Sequence, residues 1–271
     1  YTALNTLSLH DALPISLLAL ATLVFGLPST IFAQNERNQS LVQSEKNGWE
    51  YEVRAGVNIG GASPMPLPKE IRKINSYSPK LNGSIAGMMT KWLNCNRQLG
   101  ITLGLRLEEK GMETGATVKN YGMEIIDGGQ RVAGNWTGKV NTVYKSSFVT
   151  LPVLGAYRIN DRWKLRAGPY VSYRMDGEFS GFVSDGYLRS GSPIGEKVNF
   201  TNEKTAVYDF NSNLRRWLWG FQAGGSWRAF KHFTVNADLT YGINNIFSSD
   251  FHTITFTMYP IYMNIGFGYV F

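Results

Sequence analysis

The sequence predicts an all-β fold, an eight-stranded antiparallel up-and-down transmembrane β-barrel, on three observations. In the closing segment Tyr259–Phe271, Met263, Ile265, Phe267, Tyr269 and Phe271 take every second position, with Asn264, Gly266 and Gly268 between them. Side chains alternate across a strand, so this one has a greasy face and a small, wettable face, and it ends on an aromatic residue as the last strand of such barrels does. The second observation is that the same period recurs in earlier stretches. The third is that the links between them alternate short and long, the layout of a barrel with short turns on one rim and loops on the other.

The residues before the first strand are set apart. Residues 1–15 are expected to be foreign, because Thr6-Leu-Ser-Leu-His-Asp-Ala-Leu-Pro-Ile15 looks like a translated sequencing adapter. Residues 16–33 form an apolar run too short to span a bilayer comfortably as a helix, broken by Pro28 and ending in small residues at Ala33. That is the pattern of a secretory signal peptide cleaved after Ala33. Residues 34–48 are polar and aperiodic and read as a disordered lead-in. The barrel is expected over 49–271.

The first strand is predicted over Trp49–Ile59, with Tyr51, Val53, Ala55 and Val57 on one face and Glu50, Glu52, Arg54 and Asn58 on the other. Ser84–Leu93 follows, its faces left open because Met88 and Met89 are adjacent. Leu99–Leu107 sets leucine and isoleucine against Gly100, Thr102, Gly104 and Arg106. Phe148–Arg158 contains Pro152, and Trp163–Met175 sets Leu165, Ala167, Val171 and Tyr173 against Lys164, Arg166, Gly168 and Arg174. Trp217–Trp227 and Phe233–Ile243 repeat the pattern, and the carboxy-terminal strand makes eight. Short links fall at 94–97, 159–162 and 229–232, and long loops are expected at 60–83, 110–147, 176–215 and 245–256.

Alternation alone leaves open which face points inward. A soluble eight-stranded barrel would bury the apolar face. That face is crowded with Trp, Tyr, Phe and Leu, which would overfill so narrow an interior. The other face carries Gly56, Gly100, Gly104, Gly168, Gly220, Gly224, Gly242, Gly266 and Gly268 among polar residues. Small residues suit a tight inner wall, so lipid belongs outside and a polar core inside. Glu50, Glu52, Arg54, Arg106, Glu108, Lys164, Arg166, Arg174, Arg216 and Asp238 are then expected inside as a connected network, because an unpaired charge there is costly.

Composition agrees. The chain holds 15 Phe, 14 Tyr, 7 Trp and 29 Gly, which suits antiparallel strands with aromatic girdles. Its single cysteine, Cys95, excludes an internal disulfide and a cysteine-based metal site. The net charge of +7 would suggest nucleic acid for a soluble protein. For an exported barrel it points to lipid phosphates or to scattered solvated charge, and no nucleic-acid partner is expected.

Certain segments carry a family resemblance. Phe148-Val-Thr-Leu-Pro-Val-Leu-Gly-Ala-Tyr157, then Arg166-Ala-Gly-Pro-Tyr-Val-Ser-Tyr173 and Asn264-Ile-Gly-Phe-Gly-Tyr-Val-Phe271 together resemble the PorT-like outer-membrane β-barrel family. The resemblance spans nearly all of 49–271 and implies an outer-membrane barrel. The namesake's association with assembly of a protein secretion system does not transfer on motifs this general.

Catalytic chemistry has one candidate. Ser248 or Ser249, Asp250 and His252 fall together in one outer loop and would have to meet within hydrogen-bond reach to form a hydrolase of lipid or peptide. His232 reads as a solvated turn residue. No metal-ligand cluster, phosphate loop or nucleotide fingerprint is present, and no cofactor is expected. The long loops hold Lys69, Arg72, Lys73, Lys80, Lys119, Arg131, Trp136 and Lys139, which could meet lipopolysaccharide phosphate or a protein partner. The expected function is a monomeric, non-enzymatic integral protein of the bacterial outer membrane with an envelope-structural role or a loop-mediated binding or assembly role. The alternatives are the hydrolase and a narrow passive channel.

Overall fold

The computed structural model describes residues 47–93, 96–127, 130–191, 194–200 and 205–271. The expected adapter segment, signal peptide and nearly all of the lead-in lie outside the described residues, as does Cys95. From Gly48 to Phe271 the chain is one compact unit.

Its strands are β1 (Trp49–Pro64), β2 (Ile71–Pro79), β3 (Asn82–Trp92), β4 (Leu99–Asp127), β5 (Gln130–Arg158), β6 (Trp163–Ser190), β7 (Lys197–Phe200), β8 (Ala206–Asp209), β9 (Trp217–Arg228), β10 (Phe233–Gly242) and β11 (Met258–Val270). All pairings are antiparallel, and eight strands close the ring β1-β3-β4-β5-β6-β9-β10-β11, with β11 returning to β1 from Glu52↔Val270 to Pro64↔Met258. Closure leaves the ring no unpaired edge, the condition for crossing hydrocarbon with strands.

The faces are those the size argument requires. Trp219, Phe221 and Phe267 are more than half exposed, whereas Glu52, Arg166 and Asp238 are almost fully buried. Met88 resolves the ambiguity of β3: it points inward against Ala86 and Leu154, and Met89 lies on the outer face. Bulky outward side chains form a belt, flanked on the short-turn rim by Trp163, Tyr269 and Phe271 and on the other by Tyr173, Trp217, Tyr241 and Tyr259.

The expected long loops at 60–83, 110–147 and 176–215 require correction, because most of their length is strand. β4 and β5 run 29 residues each and β6 runs 28, whereas about 9–11 residues cross a membrane. The surplus rises above the belt as a three-stranded sheet, widened by β2 on β4, by β7 on β6, and by β8, which pairs with β6 and reaches Ile126 of β4. The pattern reverses in this extension. Beside lipid the inward positions of β4 are Thr102, Arg106, Glu108 and Lys110; beyond them they are Met112, Val118, Met123 and Ile125. Outside the bilayer the surroundings are water, so apolar side chains turn inward as in a soluble protein. On β6 a bulge accompanies the change: Phe148 pairs with Arg174 and Ser147 with Asp176, leaving Met175 extra. One extra residue inverts the parity of every later side chain, so Phe179 and Val183 point inward where Arg166 and Ser172 do below.

The extension therefore has its own core, which includes Trp136, Tyr144, Phe179, Leu188, Phe200, Tyr208, Phe210 and Phe247. Burial pushes the Tyr144 phenol up to about 12 and raises that of Tyr208 as well. A raised phenol favours its neutral form in the fold, so this stabilisation is complete below the unfolded value near 10 and is lost as pH climbs through the folded one. From Tyr144 alone it amounts to roughly 2–3 kcal/mol. Spectrophotometric titration is expected to show late-ionising tyrosines, with the extension becoming protease-sensitive as they ionise. Full tyrosine ionisation near pH 10 would contradict this.

Candidate functional site

The barrel interior is built from β1, whose every second residue from Glu50 to Asn58 faces the axis. Lys164 Nζ lies 2.6 Å from Glu50 Oε1 and 3.4 Å from Glu52 Oε2. Arg54 reaches Glu52 at 2.6 Å and Asp238 at 3.4 Å, and Arg166 Nη2 donates to Asp238 Oδ1 at 3.2 Å. Arg158, at 2.7 Å, and Arg228, at 3.7 Å, close on Glu50 from the short-turn rim. Arg166 also meets Ser226, which meets Asn236, and Asn236 with Thr234 donates to Glu52. Two glycines make the room: a Cβ at Gly268 would lie 2.6 Å from Glu52 Oε1, and one at Gly224 would strike Asp238.

β1 and β6 are four places apart in a ring of eight, that is, on opposite walls. The Lys164–Glu50 contact therefore spans the lumen, and a barrel of this strand number is filled by its own side chains.

A second charged group lies towards the long-strand rim. Glu108 accepts from Lys110 and pairs with Arg106, each at 3.0 Å, and takes Thr150 at 2.7 Å and Asn58 at 3.3 Å. The Lys110 ammonium lies 5.5 Å from the ring centres of Phe148, Tyr170 and Tyr262, an aromatic surround that favours a desolvated cation. The Gln222 amide and the Tyr262 hydroxyl are buried without a hydrogen-bond partner among the described residues.

Eight of the ten charges expected inside are buried there: Glu50, Glu52, Arg54, Arg106, Glu108, Lys164, Arg166 and Asp238. Arg174 and Arg216 are corrections. Arg174 is half-buried and donates to the carbonyls of Leu214 and Arg215 at 2.7 and 3.1 Å, and Arg216 is exposed. Both stand where β6 and β9 leave the bilayer, so the interior no longer claims them. Lys110, Arg158 and Arg228 are interior or rim members that the alternation argument missed. Lys110 continues the inward parity of Arg106 and Glu108 and was legible once β4 was carried past Leu107.

The outer-loop candidates do not assemble. Ser249 Oγ approaches Asp250 Oδ1 at 3.5 Å, while among the described residues no hydrogen bond joins His252 to Ser248, Ser249 or Asp250. His232 has a structural place, its Nδ1 2.8 Å from the Val270 carbonyl oxygen and its ring stacked on Tyr269. Among the described residues no three His, Cys, Asp or Glu side chains converge as metal ligands. Of the surface residues, Lys80 pairs with Glu113, Arg131 with Glu124 and Lys139 with Asp185. Trp136 is not at the surface: it is fully buried against Phe200. Lys69, Arg72 and Lys73, in or beside β2, are exposed and form no ion pair among the described residues.

Solved structures similar to the chain include Ail, the attachment invasion locus protein of Yersinia pestis (12% identity, 82% of this chain and 98% of that one, TM-score 0.36). They also include Neisserial surface protein A (12%, 82% and 96%, TM-score 0.29) and OprG of Pseudomonas aeruginosa (10%, 83% and 97%, TM-score 0.30). No curated protein sequence matches. The family model described as outer membrane protein beta-barrel domain matches residues 32–248, most of the chain. The closed ring of strands, greasy outside, is a β-barrel of the membrane-facing kind that this description names. The chain belongs to the outer membrane protein β-barrel family and is an integral protein of the bacterial outer membrane.

Proposed function

We propose that this is a monomeric, non-enzymatic surface-binding protein in which the barrel is the anchor and the extension of β4, β5 and β6 is the binding module. The observation that carries the reading is the extension itself: strands two to three times the length needed for crossing, packed on their own aromatic core. An anchor alone has no use for it. The ligand class is phosphate-bearing lipid of the outer leaflet, lipopolysaccharide first, met by Lys69, Arg72 and Lys73. A basic side chain near an anionic lipid surface contributes about 1 kcal/mol. The export signal at 16–33 and the narrower PorT-like kinship belong to the same proposal. Support for an anchor over a narrow channel comes from the Lys164–Glu50 contact across the axis, and Ser248, Asp250 and His252, joined by no hydrogen bond among the described residues, lend the hydrolase reading none.

The test is retention of the detergent-solubilised protein on immobilised lipopolysaccharide. Lys69→Ser, Arg72→Ser and Lys73→Ser together are expected to weaken retention at least tenfold at low salt and to flatten its salt dependence. Retention equal to wild type at every salt concentration refutes the lipid-phosphate assignment.

A further inference from the structure

We propose that the extension carries a binding site for one acyl chain of an outer-leaflet lipid, entered sideways between β1 and β2 at the level of the lipid headgroups. β1 and β3 are paired only as far as Asn58↔Asn82. Beyond that pair β1 runs on against β11 alone, while β2, which continues the line of β3, lies on β4 from Pro79↔Met112 onwards. The wall opens there, and behind the opening lies a cavity of about 380 Å³, at the small end of the range for ligand pockets.

Its floor is Met112, Val118, Phe179 and Met258, all buried in the core of the extension. Its mouth is marked by Leu67, Ile74 and Tyr77, each at least half exposed, facing the Gly60–Pro64 end of β1. Thr114 and Thr142 are among the few polar side chains in the lining. A cavity so apolar binds hydrocarbon by the area it removes from water, at about 25 cal/mol per Å².

Register sets the height. Ser63, in the cavity wall, pairs with Tyr259, and Tyr259 stacks on Tyr241 at 6.0 Å. Those two rings belong to the outer aromatic belt, the kind that sits at headgroup level. Ile59, 42% exposed on the lipid face of β1, leads directly to the lip. An acyl chain can therefore pass from the outer leaflet into the cavity without crossing water. The exposed cations Arg72 and Lys73 lie side by side on β2 between the lining residues Ile71 and Ile74, where the phosphate end of the same lipid would remain. The choice of lipid as occupant rests on the surface-lipid reading above; the cavity and its sideways mouth do not.

The probe is cis-parinaric acid, titrated into the full-length folded protein in short-chain maltoside, with palmitic acid as competitor. One saturable, displaceable site is expected. Ala116→Trp fills the cavity and is expected to weaken binding at least tenfold. Ile74→Asp places a charge at the mouth and is expected to do the same. Ile74 is more than half exposed, so this variant remains decisive if Ala116→Trp loses its heat-modifiable band. Equal parinaric acid binding in wild type and Ile74→Asp, or binding that never saturates, overturns the proposal. The triple Ser variant separates the two readings: it is expected to lose lipopolysaccharide retention while a saturable parinaric acid site persists, weakened only by loss of the cations that face its carboxylate. Loss of both in the triple variant, with Ile74→Asp unaffected, leaves only surface charge and overturns the chain site.

Discussion

Replacing Glu108 with glutamine is expected to destabilise the barrel by about 3–5 kcal/mol, the usual cost of breaking a buried ion pair by removing one partner. Among the described residues Glu108 is the only carboxylate in an ion pair with Arg106 and Lys110, and all three side chains are at most 5% exposed. Glutamine keeps the shape and can still accept from Thr150, so the loss isolates charge rather than packing. Two cations would then share a lumen in which the remaining carboxylates, Glu50, Glu52 and Asp238, are engaged by Lys164, Arg54 and Arg166.

A compensating change tests the cause. Lys110→Met in the same background removes one uncompensated charge and lays a flexible apolar chain among Phe148, Tyr170 and Tyr262. It is expected to recover at least half of the loss. The measurement is urea unfolding from lipid vesicles, with the temperature at which the folded band disappears on gels as a second reading. A urea midpoint unchanged by Glu108→Gln would mean that water or lipid headgroups already screen this group, and the interior would have to be regarded as wet.

The barrel was legible because lipid makes a simple demand on each strand: one face greasy, the other polar or small. Phe221 against Gln222 and Phe267 against Gly268 state that demand in consecutive residues. The extension was not legible by the same rule, because the rule changes at the headgroups. In Val140-Asn141-Thr142-Val143-Tyr144 the two end residues keep one parity. There, however, Tyr144 and Val140 point inward and Lys145 outward, the reverse of the assignment a lipid-facing strand would receive. The bulge at Met175 adds a shift of parity that no regular count follows. Arg174 and Arg216 mislead for the same reason: their parity is right for the barrel, but their height is above it. The cavity was hidden from the sequence entirely. It depends on β1 and β3 parting after Asn58 and on β2 staying on β4 beyond the end of β3, and neither is written in a local pattern.

Phe179→Ala is expected to unfold the extension while sparing the barrel, which places the two on separate stabilities. Phe179 meets Phe247 edge to face at 4.9 Å, Tyr144 at 6.2 Å and Phe210 at 6.3 Å. It thereby ties β6 to β5 and to two connecting segments. Those segments are also tied by backbone: Phe210 donates to the Phe179 carbonyl at 2.9 Å, and Leu214 bridges Phe247. Truncating a buried phenylalanine costs about 3–5 kcal/mol, much of the total for a subdomain of this size. None of these partners belongs to the ion-paired interior, whose bonds among Glu50, Lys164, Glu52, Arg54 and Asp238 lie below the belt's outer rim. Trypsin added to intact cells is therefore expected to cut at Lys139, Arg189 or Lys197 in Phe179→Ala and to leave wild type whole, while the residual barrel still shifts on heating. If the barrel lost its heat-modifiable band as well, the extension would be part of one cooperative unit, and a binding module that can loosen without releasing its anchor would have to be given up.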